Sequence, residues 1–147
     1  MAIRIFSLFF FVVTSASAQT KDAKRVEIFS HSLQAATPIP VTLQDITDSS
    51  RFVAESTNRY FLNALSSYCS SLDASKRKKR NLLQDYRILV VLAYEDGTSS
   101  YIAGNTVSYI EYNGKVYEDK NYQFYKLLSI YIELNTIEVF LKDHHLK

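Results

Sequence analysis

The chain has 147 residues, and its 17 Lys and Arg side chains nearly balance 15 Asp and Glu, for a formal net charge of +2. Such a balance is too even to indicate a nucleic-acid-binding domain, so we expect no nucleic-acid partner. The composition, 47% hydrophobic and 22% charged, is typical of a globular domain and excludes a disordered chain.

The first 18 residues have the three-part layout of a cleavable secretory signal. A short basic start at Arg4 precedes an apolar run over 5–13, and small residues follow up to Ala18. We therefore expect a signal peptide over 1–18, cleavage before Gln19 and a secreted or periplasmic product. The apolar run is shorter than the ~20 residues of a membrane-spanning helix. We expect no transmembrane segment after cleavage, and one α+β domain over 19–147.

The first part of this domain predicts short strands and then one long helix. Residues 26–29 have the composition of a strand, and the prolines at 38 and 40 predict an extended path that continues as an edge strand over 41–43. Asp48 and the two serines after it resemble a helix start. From about 49 to 72 there is no Gly or Pro, and apolar residues recur at three- and four-residue steps. That spacing predicts a helix with one apolar face.

The second part predicts an antiparallel meander of three to four strands over about 86–118. Residues 86–94 are rich in Ile, Leu and Val, which favours a central strand. Asp96-Gly97 and Asn113-Gly114 are strong hairpin signals, and Gly104-Asn105 predicts a further turn or a bulge.

A second helix is predicted over about 121–134, with Asp119 or Asn121 as its N-cap and Asn135 at its end. Residues 136–141 favour a last strand, with continuation of the helix as the alternative. The predicted fold class is therefore α+β, with the meander on one side and both helices packed on one face of it.

The motifs of common catalytic and cofactor sites are absent from the sequence. The three glycines, Gly97, Gly104 and Gly114, are explained by turns, so no Gly-rich phosphate loop remains. The only cysteine, Cys69, lies at the margin of the predicted helix face. This favours a small buried side chain over a nucleophile acting with His31 or a disulfide between two chains. We expect no catalytic residue, no metal site and no cofactor, and no role for His31, His144 or His145.

Two surfaces remain as candidate binding sites. The strand tyrosines fall on both faces of the predicted sheet, and an uncovered face would form an aromatic ligand-binding surface; these residues are Tyr94, Tyr101, Tyr109, Tyr112 and Tyr117. The second is a basic run for contact with an anionic surface, made of Lys76, Arg77, Lys78, Lys79 and Arg80. The alternative for this run, a solvated helix end, is favoured because cations are stabilised near a helix C-terminus.

Three functions are compatible with these patterns, and the first is preferred. It is an exported, non-enzymatic binding or inhibitor-like module with a protein or glycan partner outside the cytoplasm. The second is a small hydrolase or isomerase with a cavity between the sheet and the long helix. The third is an envelope or surface-associated protein that docks through residues 76–80. A deep pocket holding a buried carboxylate favours the second, and a flat aromatic face with a filled core favours the first.

Overall fold

The computed structural model describes residues 22–31, 40–47, 52–73, 85–105, 108–131 and 141–142. In chain order the described elements are β1 (Ala23–Ser30), α1 (Leu43–Ile46), β2 (Phe52–Ser56), α2 (Arg59–Asp73), β3 (Ile88–Tyr94), β4 (Ser99–Gly104), β5 (Tyr109–Tyr112), β6 (Lys115–Glu118), a 3₁₀ turn (Lys120–Tyr122) and α3 (Gln123–Tyr131). The strands form one antiparallel sheet in the order β2-β1-β3-β4-β5-β6. The α+β class is confirmed, but the sheet has six strands where three to four were predicted.

The two additional strands come from the first part of the domain. The strand predicted over 26–29 is confirmed and extends into β1, which lies between β2 and β3. Its Val26 and Ile28 side chains are fully buried, as expected for an inner strand. The predicted meander corresponds to β3, β4, β5 and β6.

The long helix begins later than predicted, because β2 takes residues assigned to its first turns. Glu55 pairs with Glu27 of β1, so this stretch is extended. The helix starts at Arg59, after Asn58, whose Oδ1 accepts the backbone N–H groups of Tyr60 at 2.9 Å and Phe61 at 3.3 Å. Asn58 satisfies N–H groups that have no partner within the helix, so it is the cap.

The edge strand predicted over 41–43 is wrong, because a capping box starts α1 there. The Thr42 hydroxyl accepts the backbone N–H of Asp45 at 3.2 Å, and the Asp45 carboxylate accepts that of Thr42 at 2.9 Å. The hydrogen bonds from Thr42, its hydroxyl first and its backbone second, lower the pKa of Asp45. The sequence signal for this helix, Thr-x-x-Asp, is short and follows two prolines.

The turns predicted at Asp96-Gly97 and Asn113-Gly114 are confirmed. Gly97 has φ of 80° between β3 and β4, and Asn113 and Gly114, between β5 and β6, have φ of 46° and 80°. Gly104, where a turn or a bulge was predicted, ends β4 before the antiparallel strand β5, and its backbone lies close to the ring of Tyr125. Only small residues fit such an approach.

The start of α3 follows the prediction in part. The Asp119 carboxylate accepts the backbone N–H of Phe124, with N–O distances of 3.1 and 3.2 Å, so Asp119 is confirmed as a capping residue. The residues predicted to complete this helix, 132–134, lie outside the described residues. So does the strand predicted over 136–141, except Leu141, which is helical.

The sheet separates two hydrophobic layers. The larger layer lies under α2 and α3, as predicted for the two long helices, and we call this side of the sheet the α2 face. The smaller layer lies under α1, where Ile46 packs with Leu89 and Ala103, and we call this side the α1 face. Among the described helices, none has the length and the apolar composition needed to cross a bilayer.

Candidate functional site

Large side chains occupy the space between the sheet and the helices on the α2 face. Phe61 stacks on Tyr131 with ring centroids 4.9 Å apart, and Tyr68 stacks on Phe124 at 6.0 Å. Cys69 belongs to this core and is only 4% exposed. The largest fully buried side chains of this layer include Phe61, Leu62, Leu65, Tyr117, Phe124 and Tyr125. This side of the sheet is therefore a packed core.

The α1 face carries an open apolar groove between α1 and the central strands. Its volume is about 260 Å³, and we call it the α1 groove; it is lined by Leu43, Thr47, Leu89, Val91, Ser99, Ser100 and Tyr101. Successive side chains of a strand point to opposite faces, so Leu89 and Val91 face α1 while Val90 enters the α2 face. The unbroken apolar run of β3 therefore contributes side chains to the hydrophobic layers on both faces of the sheet.

A buried carboxylate fixes one wall of the groove. Glu111 of β5 is fully buried. Its Oε1 accepts the Tyr101 hydroxyl at 2.6 Å, and its Oε2 accepts the Tyr86 hydroxyl at 2.6 Å. Hydrogen bonds of this kind are what make a buried carboxylate tolerable. The same bonds hold the Tyr101 ring against the groove.

A second polar network holds the segment that carries α1 against the sheet. Arg87, 5% exposed, donates through Nε at 2.9 Å and Nη2 at 2.6 Å to Oδ2 of Asp85. The other Asp85 oxygen accepts the backbone N–H of Val41 at 2.7 Å, and the N–H of Tyr86 donates to the Val41 carbonyl at 3.0 Å. Both sides of the groove are therefore attached to the start of β3.

The structure does not bring the five candidate tyrosines into one surface. Tyr101 and Tyr109 lie on the α1 face, while Tyr94, Tyr112 and Tyr117 lie on the α2 face. Tyr117 is fully buried there. Of the five, only Tyr101 lines the α1 groove.

The second candidate surface, the basic run, lies outside the described residues; it consists of Lys76, Arg77, Lys78, Lys79 and Arg80. His144 and His145 also lie outside them. His31 follows β1, where its backbone N–H donates to the Arg87 carbonyl at 2.8 Å.

Sequence reasoning missed Glu111, Tyr86 and Leu43. A charged residue such as Glu111 between two apolar strand residues indicates a side chain that faces solvent. Glu111 is instead buried, and its carboxylate accepts the hydroxyl of Tyr86, 25 positions earlier in the chain. Such a contact between distant residues has no local signal, although the Thr-x-x-Asp pattern could have located α1 and hence Leu43.

The described residues hold no group of three His, Cys, Asp or Glu side chains placed to bind a metal ion. No protein-family model matches this sequence, and the searches of curated proteins and of solved structures found no similar protein. The residues of the α1 groove are therefore the basis for a functional proposal.

Proposed function

We propose that this chain is an exported, non-enzymatic binding module whose α1 groove receives one large apolar side chain of a protein partner. The observation that carries the proposal is the apolar groove itself. Its volume of about 260 Å³ lies just below the ~300–1,000 Å³ range of small-molecule pockets. A space of this size suits a single side chain, and buried apolar anchors of that kind dominate protein interfaces.

The attachments around the groove support a binding role. Glu111 fixes the Tyr101 ring, and Asp85 and Tyr86 hold the segment before α1. A groove with fixed walls loses little conformational entropy when a partner enters it, so more of the contact energy is available as affinity.

The environment of Glu111 favours binding over a hydrolase or isomerase. A general base needs an oxygen within hydrogen-bond reach of the proton that it abstracts. Both oxygens of this fully buried carboxylate already accept a phenol hydroxyl. Its described contacts are those of a side chain that positions Tyr101 and Tyr86.

A pair of small probes tests the groove directly. We expect N-acetyl-phenylalaninamide, titrated into ¹⁵N-labelled mature protein, to shift the amide resonances of Leu43, Thr47, Val91 and Tyr101. N-acetyl-alaninamide has the same backbone groups but no large side chain, so it should leave these resonances in place.

Filling the groove provides the matched control. Ser99 is an exposed groove residue, so Ser99→Trp should occupy the space and abolish the shifts caused by the phenylalanine probe. Ser70→Trp places the same ring on the exposed side of α2 and should change nothing. Equal shifts with both probes, or unchanged binding to Ser99→Trp, would contradict the proposal.

Export is the second part of the proposal and has its own measurement. Because the small residues before Gln19 end a short apolar run, the exported product should begin at Gln19. Intact-mass spectrometry of the product in the medium or the periplasm would show the loss of residues 1–18. A product that still begins at Met1 and stays in the membrane would overturn this assignment.

A further inference from the structure

Acidic side chains outnumber basic ones among the described strand residues that the pairing register places on the α1 face. Residues paired across strands share a face, and this register places five charged residues of the described strands on the α1 face: Arg25, Glu27, Glu55, Glu111 and Glu118. These strand residues carry one positive and four negative charges, a net of −3.

Two of these carboxylates stand beside the α1 groove. Glu27 is directly opposite Val91, which lines the groove, and Glu55 is directly opposite Glu27 on the next strand. Neighbouring strands lie ~4.8 Å apart, so Glu27 is one strand and Glu55 two strands from that wall. Both side chains are partly exposed, at 29% and 46%.

The guanidinium of Arg25 forms ion pairs with both carboxylates, but at different distances. Arg25 lies 2.9 Å from Glu27 but 4.0 Å from Glu55, so Glu55 is the less neutralised of the two. Like charges directly opposite one another destabilise a sheet. A further cation beside Glu55 would relieve this repulsion, and a partner can supply it.

We infer that the protein partner presents a basic segment, in which lysine or arginine flanks the apolar side chain that enters the α1 groove. This inference rests on the proposed function, because the groove positions the segment. An extended segment advances ~3.3 Å per residue, so a cation two or three residues from the apolar anchor reaches Glu55. An acidic segment would be repelled by the same carboxylates.

Capped pentapeptides test the charge preference. Three of them have a central phenylalanine, flanked by lysines, glutamines or glutamates, and a fourth has a central alanine flanked by lysines. Affinities come from the amide shifts of Leu43 and Val91 in the mature protein. We expect the lysine–phenylalanine peptide to bind tightest and the glutamate peptide weakest. The differences should shrink as added salt screens exposed charges.

Variants of Glu27 and Glu55 test whether these two carboxylates cause the preference for basic peptides. Glu55→Gln should weaken binding of the lysine–phenylalanine peptide about two- to five-fold at low salt, and Glu27→Gln/Glu55→Gln should weaken it further. Neither change should alter binding of the glutamine peptide. Asp22→Asn is the matched control, because it removes an exposed carboxylate that lies beside α2.

The outcomes separate the inference from the proposed function. If the lysine and glutamine peptides bind equally in the groove, or if Glu55→Gln has no effect, the inference is wrong and the proposed function stands. If the central-alanine peptide binds as tightly as its phenylalanine counterpart, the inferred anchored segment is overturned. If no central-phenylalanine peptide shifts the groove resonances, the inference and the proposed function are both wrong.

Discussion

Gly104→Ala should destabilise the fold by about 1–3 kcal/mol, the usual cost of overpacking a core. An added Cβ would lie 2.6 Å from the Tyr125 hydroxyl oxygen and 3.3 Å from Cγ2 of Ile110. Both side chains are fully buried, and the Tyr125 hydroxyl donates to the Asn105 carbonyl, so the ring has little room to move. Urea unfolding of the protein measures the loss.

A double-mutant cycle identifies the cause of that loss. Tyr125→Phe removes the oxygen nearest to the added methyl group, so the cost of Gly104→Ala should be at least about 1 kcal/mol smaller in this background. Gly104 lies outside the positive-φ region, and a backbone penalty for alanine is not expected. Equal costs of Gly104→Ala in the two backgrounds would show that the hydroxyl contact is not responsible.

The parts of the fold that the sequence predicts are those with local causes. Asn113 and Gly114 adopt the positive φ that a tight hairpin requires, and this preference belongs to the two residues themselves. The apolar run of β3 predicts a central strand for a similar reason, since a strand buried on both faces needs apolar side chains at successive positions. Asp119 caps α3 through its own short side chain.

The parts that could not be predicted depend on contacts between distant residues. The helix pattern before Arg59 was misleading, because Val53 fits three- and four-residue steps but lies in β2, which pairs with β1. Nothing near Ile28 indicates that it pairs with both Ala54 and Val90. The position of β1 between β2 and β3 follows from the whole sheet and has no local signal.

The candidate site was less predictable than the fold for the same reason. The strand alternation places Tyr101 and Tyr109 on one face, as the sequence indicates. The α1 groove also needs α1 to lie over β3 and β4, and the carboxylate that holds Tyr101 bonds the distant Tyr86 as well. A site formed between a short helix and a sheet face can be located only when the positions of both are known.

The second large effect concerns Asp119, a buried carboxyl between α2 and α3. It is 1% exposed, accepts the Tyr68 hydroxyl at 2.9 Å, and caps α3 through the Phe124 N–H. Burial raises its pKa from 3.8 to about 6, and hydrogen bonds from Phe124, Tyr68 and Gln123 offset only part of that rise. Burial, with Asp119 nearby, also raises the pKa of Tyr68, so this phenol remains a hydrogen-bond donor over the relevant pH range.

The stability contributed by Asp119 should therefore increase as the pH falls. Between about pH 4 and 6 the folded protein holds a proton on Asp119 that the unfolded chain, with a pKa near 3.8, has released. This contribution is fully present below the unfolded pKa and is lost as the pH rises through about 6. The difference between the two pKa values corresponds to at most about 3 kcal/mol of unfolding free energy.

Asp119→Asn provides the comparison, because it keeps the shape of the side chain but does not titrate. The other groups titrate alike in both proteins. Urea unfolding from about pH 7 to pH 4 should show the stability of the wild type rising relative to Asp119→Asn. A difference that is constant, or that falls towards acid pH, would show that burial does not control this carboxyl.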